Sequence, residues 1–417
     1  MKEISFNGLL ILSCIAVVAP MLVATVRWLK LPSVVLEIVA GIVVGPSVLG
    51  WVHIDPPIEI LSLVGLAFLL FLAGLEIDLV RLKGHLLRLA LVGFVATLVL
   101  GVIAGSVFHA VGWVRSPFFL AVALTATSLG LVVPVLKDAG HAESPVGQLT
   151  IAGATVADFG AVILLSLFFS ESEGGTASKL ITLGAFVLVV FAVAATLVRA
   201  GRSMRLDAVL TRLQDTTAEI RVRIAVALLI GFVALAAKVG LETILGAFIA
   251  GTVLNLVDKD TMSHPHFRMK LDAVGYGFLI PVFFVTSGVR FDLDALMASP
   301  SAFARVPLFL LALLVVRAVP AALYAPTLGR RGAVVAGLLQ ATSLPFIVTA
   351  TSIGVSIGAI APVTAAALVA AGLLSVVLFP LIALAVARGD DRASVVEGTE
   401  PGPPEPLVDR RSMGTRN

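Results

Sequence analysis

One acidic residue stands inside a stretch that is otherwise suited to a lipid bilayer. Residues 145–170 are almost wholly apolar, and Asp158 falls about 18 Å into a helix that begins near Val146, close to the bilayer midplane. A carboxylate at that depth is costly and is usually retained because it binds or relays something. We therefore expect Asp158 to hold a cation or a proton. The alternative is a structural acid that is hydrogen-bonded to a neighbouring helix.

Oxygen donors and one basic residue complete this candidate site. Hard oxygen ligands suit Na⁺, K⁺ or Li⁺, and the hydroxyls of Thr127, Ser128 and Thr155 are the candidate supporting ligands. Thr155 lies one turn before Asp158 on the same helix face. Arg317 lies about 22 Å into its own span, also near the middle of the bilayer. It would either balance the charge of the site or act as a permanent strut between two helices.

Such a site would let a proton and a metal ion compete for one group. Burial disfavours a charged carboxylate and a nearby cation favours it, so one acid can alternate between the two partners. One titratable acid predicts one proton for one cation, without net charge movement. Glu37 and Glu76, near the cytoplasmic ends of their spans, would either funnel cations inward or bond helix ends and loops. Glu242 carries the same ambiguity at the outer side.

The composition restricts the class of protein. Hydrophobic residues make up 59% of the 417, charged residues 13%, and the mean hydropathy is +1.08. We therefore expect an all-α polytopic membrane protein. The single cysteine, Cys14, excludes a disulfide framework. The sequence shows no nucleotide-binding glycine pattern, catalytic triad or metal cluster, so we expect no enzyme, no cofactor and no nucleic-acid partner. His264 and His266 are expected in a solvated loop rather than in a metal site or pH sensor.

We expect thirteen transmembrane helices, and their loops predict an orientation. Twenty-two of the 29 basic residues fall in segments on one side, six on the other, and Arg317 lies within a span. The positive-inside rule then puts the N-terminus outside and the C-terminus in the cytoplasm. The expected spans are about 6–27, 33–51, 58–76, 86–110, 117–136, 146–169, 179–199, 220–238, 241–257, 272–289, 302–326, 332–354 and 360–387.

Two segments lie outside these spans. Residues 200–216 place leucine and valine at helical spacing among arginines, which predicts a short amphipathic helix on the cytoplasmic surface. Residues 388–417 are rich in Asp, Glu, Pro, Gly and Arg, so we expect a disordered cytoplasmic tail after a transmembrane domain at 1–387.

Three stretches of the first half recur in the second in the same order. The pairs are 36–45 with 241–251, 71–79 with 285–293, and 126–130 with 341–345. Each partner lies seven spans further on, and an odd number reverses the direction through the membrane. We therefore expect an inverted-topology repeat, with chance similarity among apolar segments as the alternative. The copies would cover about 6–169 and about 220–387, joined by a linker helix at 179–199.

The repeat gives Thr127 and Ser128 counterparts in Thr342 and Ser343, and a proline follows each pair. Pro134 and Pro345 each remove a helix hydrogen bond, and loose backbone at membrane depth is tolerated where it lines a cavity. We expect two broken helices that cross near Asp158, with their dipoles and freed carbonyls directed at the site. Two ordinary kinked helices are the alternative.

In order along the chain, these segments resemble the monovalent cation:proton antiporter-2 family of bacterial sodium/hydrogen exchanger-like proteins. The resemblance covers residues 6–387 and rests on LPSVVLEIVAGIVVGPSVLG, FLLFLAGLEIDL, ALTATSLGLVVPVLKDAG, LGAFIAGTVL and FFVTSGVRFDL. It implies a homodimer in the bacterial inner membrane, with a dimerisation domain and a six-helix core that moves like an elevator. It also implies that Asp158 binds the ion, Thr127 and Ser128 belong to the broken-helix site, and Arg317 is the facing base.

Two departures from the family pattern stand out. Ala157 stands where many members have a second acid or an amide before the aspartate, and the tail is too short for a regulatory nucleotide-binding domain. The leading hypothesis is Na⁺/H⁺ or K⁺/H⁺ exchange, with Na⁺ ranked ahead of K⁺. The alternatives are a cation-coupled symporter of an organic anion and a non-exchanging, channel-like or sensory relative.

Overall fold

The structure is a computed structural model that describes residues 6–25, 32–76, 84–169, 176–201, 219–257, 265–298 and 300–397. The amphipathic helix predicted for 200–216 lies outside the described residues, except for its first two positions, which end a helix at Gly201. The end of the predicted tail, 398–417, also lies outside them.

The described ranges form seventeen α-helices and no β-strand, apart from an isolated antiparallel bridge between Val114 and Ile360. A π-helical turn, Gly275–Leu279, joins the helix that ends at Val274 to the one that begins at Ile280, and a 3-10 turn, Pro320–Tyr324, follows the helix that ends at Ala318. The helices are α1 Phe6–Thr25, α2 Ser33–Val44, α3 Pro56–Leu75, α4 Gly84–Ala110, α5 Pro117–Thr125, α6 Leu129–Asp138, α7 Pro145–Phe169, α8 Thr176–Gly201, α9 Ile220–Lys238, α10 Thr243–Val257, α11 Pro265–Val274, α12 Ile280–Val289, α13 Leu293–Met297, α14 Pro300–Ala318, α15 Ala325–Gln340, α16 Pro345–Ser356 and α17 Pro362–Glu397.

The expected all-helical membrane protein is confirmed in its coarse form. Eight helical segments within the described ranges are long and apolar enough to cross a bilayer, and shorter apolar helices stand between them. The expected fifth span, 117–136, is two helices rather than one, and so is the twelfth, 332–354. The last helix continues ten residues past its expected end at 387, to Glu397.

The broken spans begin with clear local signals. Pro117 opens α5, and the side chain of Ser116 accepts a hydrogen bond from the backbone N–H of Phe119 at 3.3 Å. Pro345 opens α16 directly after the interruption at 341–344. Pro134, in contrast, lies six residues into a continuous α6, so it does not cause the first interruption at 126–128.

The helices pack into two groups with a boundary between them. The scaffold group contains α1–α3 and α9–α12, and the site group contains α4–α7 and α14–α17. Small residues bring the scaffold helices close together, since a β-carbon at Gly41 of α2 would collide with the carbonyl of Val285 in α12. The same holds for Gly251 of α10 against the carbonyl of Phe71 in α3.

Candidate ion-binding site

Asp158 lies on α7 and faces the interruption between α5 and α6. One carboxylate oxygen accepts the backbone N–H of Thr127 at 2.8 Å, and the other accepts the N–H of Leu129 at 3.4 Å. Ser128, at the start of α6, makes no capping bond with its own side chain. The carboxylate therefore caps the N-terminus of α6 from a neighbouring helix, where the helix dipole favours a negative charge.

The two interrupted helices meet at this point. The N–H of Ser128 donates to the carbonyl oxygen of Thr342 at 2.9 Å, across 214 positions of sequence. The N–H of Ser128 thus bonds to the second interruption, whereas the N–H groups of its neighbours, Thr127 and Leu129, bond to Asp158. The predicted contact between the two interruptions near Asp158 is present in the structure.

Arg317 is buried, with 2% of its surface exposed, and reaches the site through Thr127 rather than through Asp158. Its guanidinium donates to the hydroxyl of Thr127, to the carbonyl oxygen of Gln340 at 3.1 Å, and to the hydroxyl of Thr97 at 3.5 Å. The Thr127 hydroxyl in turn donates to the carbonyl of Gln340 at 2.9 Å. Arg317 therefore ties together α4 and the two interruptions.

A cavity of about 80 Å³ opens in front of the carboxylate, between the two groups of helices. The site group contributes Asp158, Thr127 and Ser128 to its lining. The scaffold group contributes Glu76 and Tyr276, at what we call the Glu76 mouth. The cavity connects the predicted acid with a second acid at the end of α3, so an ion that entered at Glu76 would meet Asp158.

The Glu76 mouth contains both acidic and basic side chains. Arg268 of α11 contacts Glu76 at 3.0 Å and Asp272, one turn along its own helix, at 3.7 Å. The second oxygen of Glu76 is buried without a hydrogen-bond partner in the described structure. Two carboxylates share the Arg268 guanidinium, and the unpaired oxygen of Glu76 is available to a cation that enters here.

Four other predicted residues lie apart from this cavity. The Thr155 hydroxyl donates to the carbonyl of Ile151 in its own helix, at 2.8 Å. Thr342 and Ser343 are fully buried at the second interruption and meet the site through the backbone. Glu37 is 4% exposed inside α2 and is not among the described residues that line the cavity.

Sequence reasoning missed several residues of this site. Tyr276 lines the cavity from the π-helical turn, a feature frequent at functional sites, and the glycines on both sides of it were the only local signal. Gln340 and Ser375 hold the interruptions, yet each is a single polar residue in an apolar helix. The recurrence of ATSL made the position next to Gln340 visible, whereas nothing similar marks Ser375.

The fold and this arrangement define a multi-pass membrane protein with a buried carboxylate at an interrupted helix pair, and comparison with known proteins gives the family. The family described as sodium/hydrogen exchanger, transmembrane, matches residues 13–387. The chain belongs to the sodium/hydrogen exchanger family, and the resemblance stated from its motifs is confirmed.

Individual relatives are similar over most of the chain. YjbQ of Bacillus subtilis, provisionally assigned as a Na⁺/H⁺ antiporter, is 30% identical over 399 residues, which cover 91% of this chain and 63% of YjbQ. GerN of Bacillus cereus, named as a Na⁺/H⁺-K⁺ antiporter, is 30% identical over 64% of this chain and 67% of its own length. The chain therefore spans about two thirds of each relative.

A solved structure shares the fold. The sodium proton antiporter MjNhaP1 from Methanocaldococcus jannaschii, at pH 8, superimposes with a TM-score of 0.62 over 90% of this chain and 97% of that one. The sequence identity is 18%, so this likeness concerns the arrangement of helices.

Proposed function

We propose that this chain exchanges a monovalent cation for H⁺ across a membrane, with Asp158 as the group for which the two compete. The observation that carries the proposal is the Asp158 carboxylate, held at a helix interruption by two N–H groups and facing a cavity. The names of the relatives as Na⁺/H⁺ antiporters support it, and the name of GerN keeps K⁺ as a second cation. We rank Na⁺ ahead of K⁺.

The exchange follows from one carboxylate with two alternative partners. A cation that enters past Glu76 binds the carboxylate, with the hydroxyl of Ser128 and backbone groups of the interruption as further oxygen donors. After the site turns to the other side, the cation leaves and a proton takes its place on Asp158. One acid gives one proton per cation, so the exchange is electrically neutral.

The architecture that we propose is an inverted repeat of thirteen transmembrane helices. The packing supports it. In the repeat, α2 corresponds to α10 and α3 corresponds to α12, and α2 packs on α12 just as α10 packs on α3. The two copies cover about 6–169 and about 220–387, with the linker at 179–199, in a transmembrane domain that ends near 387. An inverted repeat presents equivalent half-sites to the two sides of the membrane, which alternating access requires.

The setting is the inner membrane of a bacterium, with the N-terminus outside and a homodimer as the working unit. The basic loops support this orientation. In it, the Glu76 mouth faces the cytoplasm, and the cavity is open to that side.

The geometry favours exchange over anion symport. A symporter of an organic anion would need a free cationic group, whereas the guanidinium of Arg317 already has three acceptors in the protein. The only charged side chains that line the cavity within the described residues are Glu76 and Asp158. Both suit a cation.

The test is cation-induced proton movement in proteoliposomes that contain a pH dye, with Na⁺, K⁺ and Li⁺ added in turn. We expect a response of the wild type to at least one cation and loss of that response in Asp158→Asn, because the amide holds neither a proton nor a cation strongly. Asp294→Asn, an exposed acid in α13, is the matched control and should behave as the wild type. A wild type silent to all three cations would overturn the proposal.

A further inference from the structure

The second interruption is held by a side chain from the next helix, as the first is. Ser375 of α17 accepts the N–H of Ser343 at 3.2 Å, and its hydroxyl can donate to the carbonyl oxygen of Ser343 at 3.1 Å or of Gly372 at 2.7 Å. Asp158 and Ser375 therefore occupy equivalent places. Each lies on the helix after a broken pair, and Asp158 accepts two N–H groups at its break whereas Ser375 accepts one. Their spacing of 217 residues is close to the 215 that separates Thr127 from Thr342.

The close approach of α17 to this interruption depends on Gly372. A β-carbon there would lie 3.0 Å from the carbonyl oxygen of Ser343. One turn later, Ser375 is fully buried. Leu344, which precedes α16, makes no side-chain capping bond, and the Ser343 hydroxyl is buried without a partner in the described structure. The Thr342 hydroxyl bonds back to the carbonyl oxygen of Leu338 in α15 at 3.4 Å, so within the described structure it is Ser375, and not a side chain of the break, that accepts the N–H of Ser343.

A single peptide group links Ser375 to the ion site. The N–H of Ser343 and the carbonyl of Thr342 belong to the same planar peptide unit. The Ser375 hydroxyl accepts the N–H of that peptide unit. The carbonyl oxygen of the same unit, which belongs to Thr342, accepts the N–H of Ser128 at 2.9 Å. The amides before and after Ser128 both donate to Asp158. Any rotation of the Thr342–Ser343 peptide therefore moves the donors that hold the carboxylate.

We propose that Ser375 is a positioning residue for cation binding, which fixes the Thr342–Ser343 peptide and through Ser128 sets the geometry of Asp158. This inference rests on the proposed exchange at Asp158. Ser375 contacts neither the carboxylate nor the cavity among the described residues, so its effect is transmitted through the peptide.

The transport test compares Ser375→Ala and Ser375→Cys with the wild type in proteoliposomes. Ser375→Ala leaves a buried N–H unpaired, and we expect the half-saturating cation concentration to rise about tenfold, on the scale of one lost buried hydrogen bond. Ser375→Cys, a weaker hydrogen-bonding group of similar size, should give an intermediate value. Ser356→Ala removes a hydroxyl that bonds to Ile353 within α16 and should leave the value unchanged.

A second measurement does not require transport. Hydrogen–deuterium exchange of the purified protein should become faster at Ser343 and also at Ser128 in Ser375→Ala, but in neither place in Ser356→Ala. Faster exchange at Ser343 alone, with an unchanged half-saturating concentration, would overturn the proposal and leave Ser375 a local structural residue. If the wild type transports no cation, the proposed function fails, while exchange at Ser128 still decides whether the peptide link operates.

Discussion

Asp158 uses about half of its hydrogen-bonding capacity on the backbone of a neighbouring helix. An ionised carboxylate offers about four lone-pair positions, and the N–H groups of Thr127 and Leu129 occupy two of them. The remaining positions are available to an ion in the cavity. The backbone donors fix where the carboxylate points, so binding does not require a flexible side chain to be ordered first.

Arg317 gives the sharpest prediction at this scale, because its two candidate roles lead to different results. A pure charge-balancing role would survive Arg317→Lys, which keeps the charge. The structure instead shows a planar guanidinium with three acceptors, a geometry that an ammonium group does not reproduce.

We therefore expect Arg317→Lys to resemble Arg317→Gln. Both should lose about 1–3 kcal/mol of stability for each buried acceptor left unpaired, seen as a lower melting temperature in detergent, and both should exchange cations at least tenfold more slowly. Arg330→Lys, at an exposed position, is the control and should match the wild type. Wild-type exchange by Arg317→Lys would contradict this prediction and support the charge-balancing role.

The chemistry of these residues was predictable from the sequence, whereas their contacts were not. An acid and a base at mid-depth in apolar spans are easy to recognise in a sequence. Their burial is costly, so they are usually retained for a function. Whether Arg317 of α14 reaches Asp158 of α7 directly depends on how these helices and the two interruptions pack, and distances between helices do not follow from spacing along one helix.

For the interrupted helices, too, the sequence predicted that a break exists but not its exact position. The repeated Thr-Ser pairs and nearby prolines predicted two interrupted helices, and the interruptions lie at those pairs. In the first, however, the break falls at 126–128 and α6 runs through Pro134. Its position is set by tertiary partners, the Asp158 carboxylate and the Thr342 carbonyl, which satisfy the freed backbone N–H groups.

The end of α3 carries a prediction about ion entry. Glu76 shares Arg268 with Asp272 and leaves one buried oxygen unpaired. Glu76→Gln removes one negative charge from the mouth. We expect the half-saturating concentration of cation added on that side to rise about threefold to tenfold at low ionic strength, because electrostatic attraction is lost.

Ionic strength separates this effect from a packing defect. High concentrations of a salt that is not transported, such as choline chloride, should shrink the difference between Glu76→Gln and the wild type, since screening removes the field in both. Glu59→Gln, at the opposite end of α3, should show no such difference for cations added at the Glu76 side. A defect that persists at high salt would count against a funnel.

At the scale of the molecule, most of the described helices form two groups with the cavity at their boundary. The scaffold group supplies Glu76 and Tyr276, and the site group supplies Asp158 and both interruptions. If the site group moves past the scaffold group as a unit, the hydrogen bonds around Asp158 travel with it unchanged. Only contacts across the boundary then have to break in each cycle.

The contact between Gly130 and Tyr276 crosses that boundary and can be used to stop the movement. A β-carbon at Gly130 of α6 would lie 3.8 Å from the Tyr276 hydroxyl. In a Cys14→Ser background, we expect Gly130→Cys with Tyr276→Cys, joined by a short thiosulfonate cross-linker, to lose exchange and to regain it on reduction. Gly8→Cys with Val52→Cys provides the comparison, because both positions lie on the scaffold side and their cross-link should leave exchange intact. Unchanged exchange by the cross-linked Gly130 and Tyr276 pair would mean that this boundary does not move, and access to Asp158 would then have to alternate through rearrangement within the site group itself.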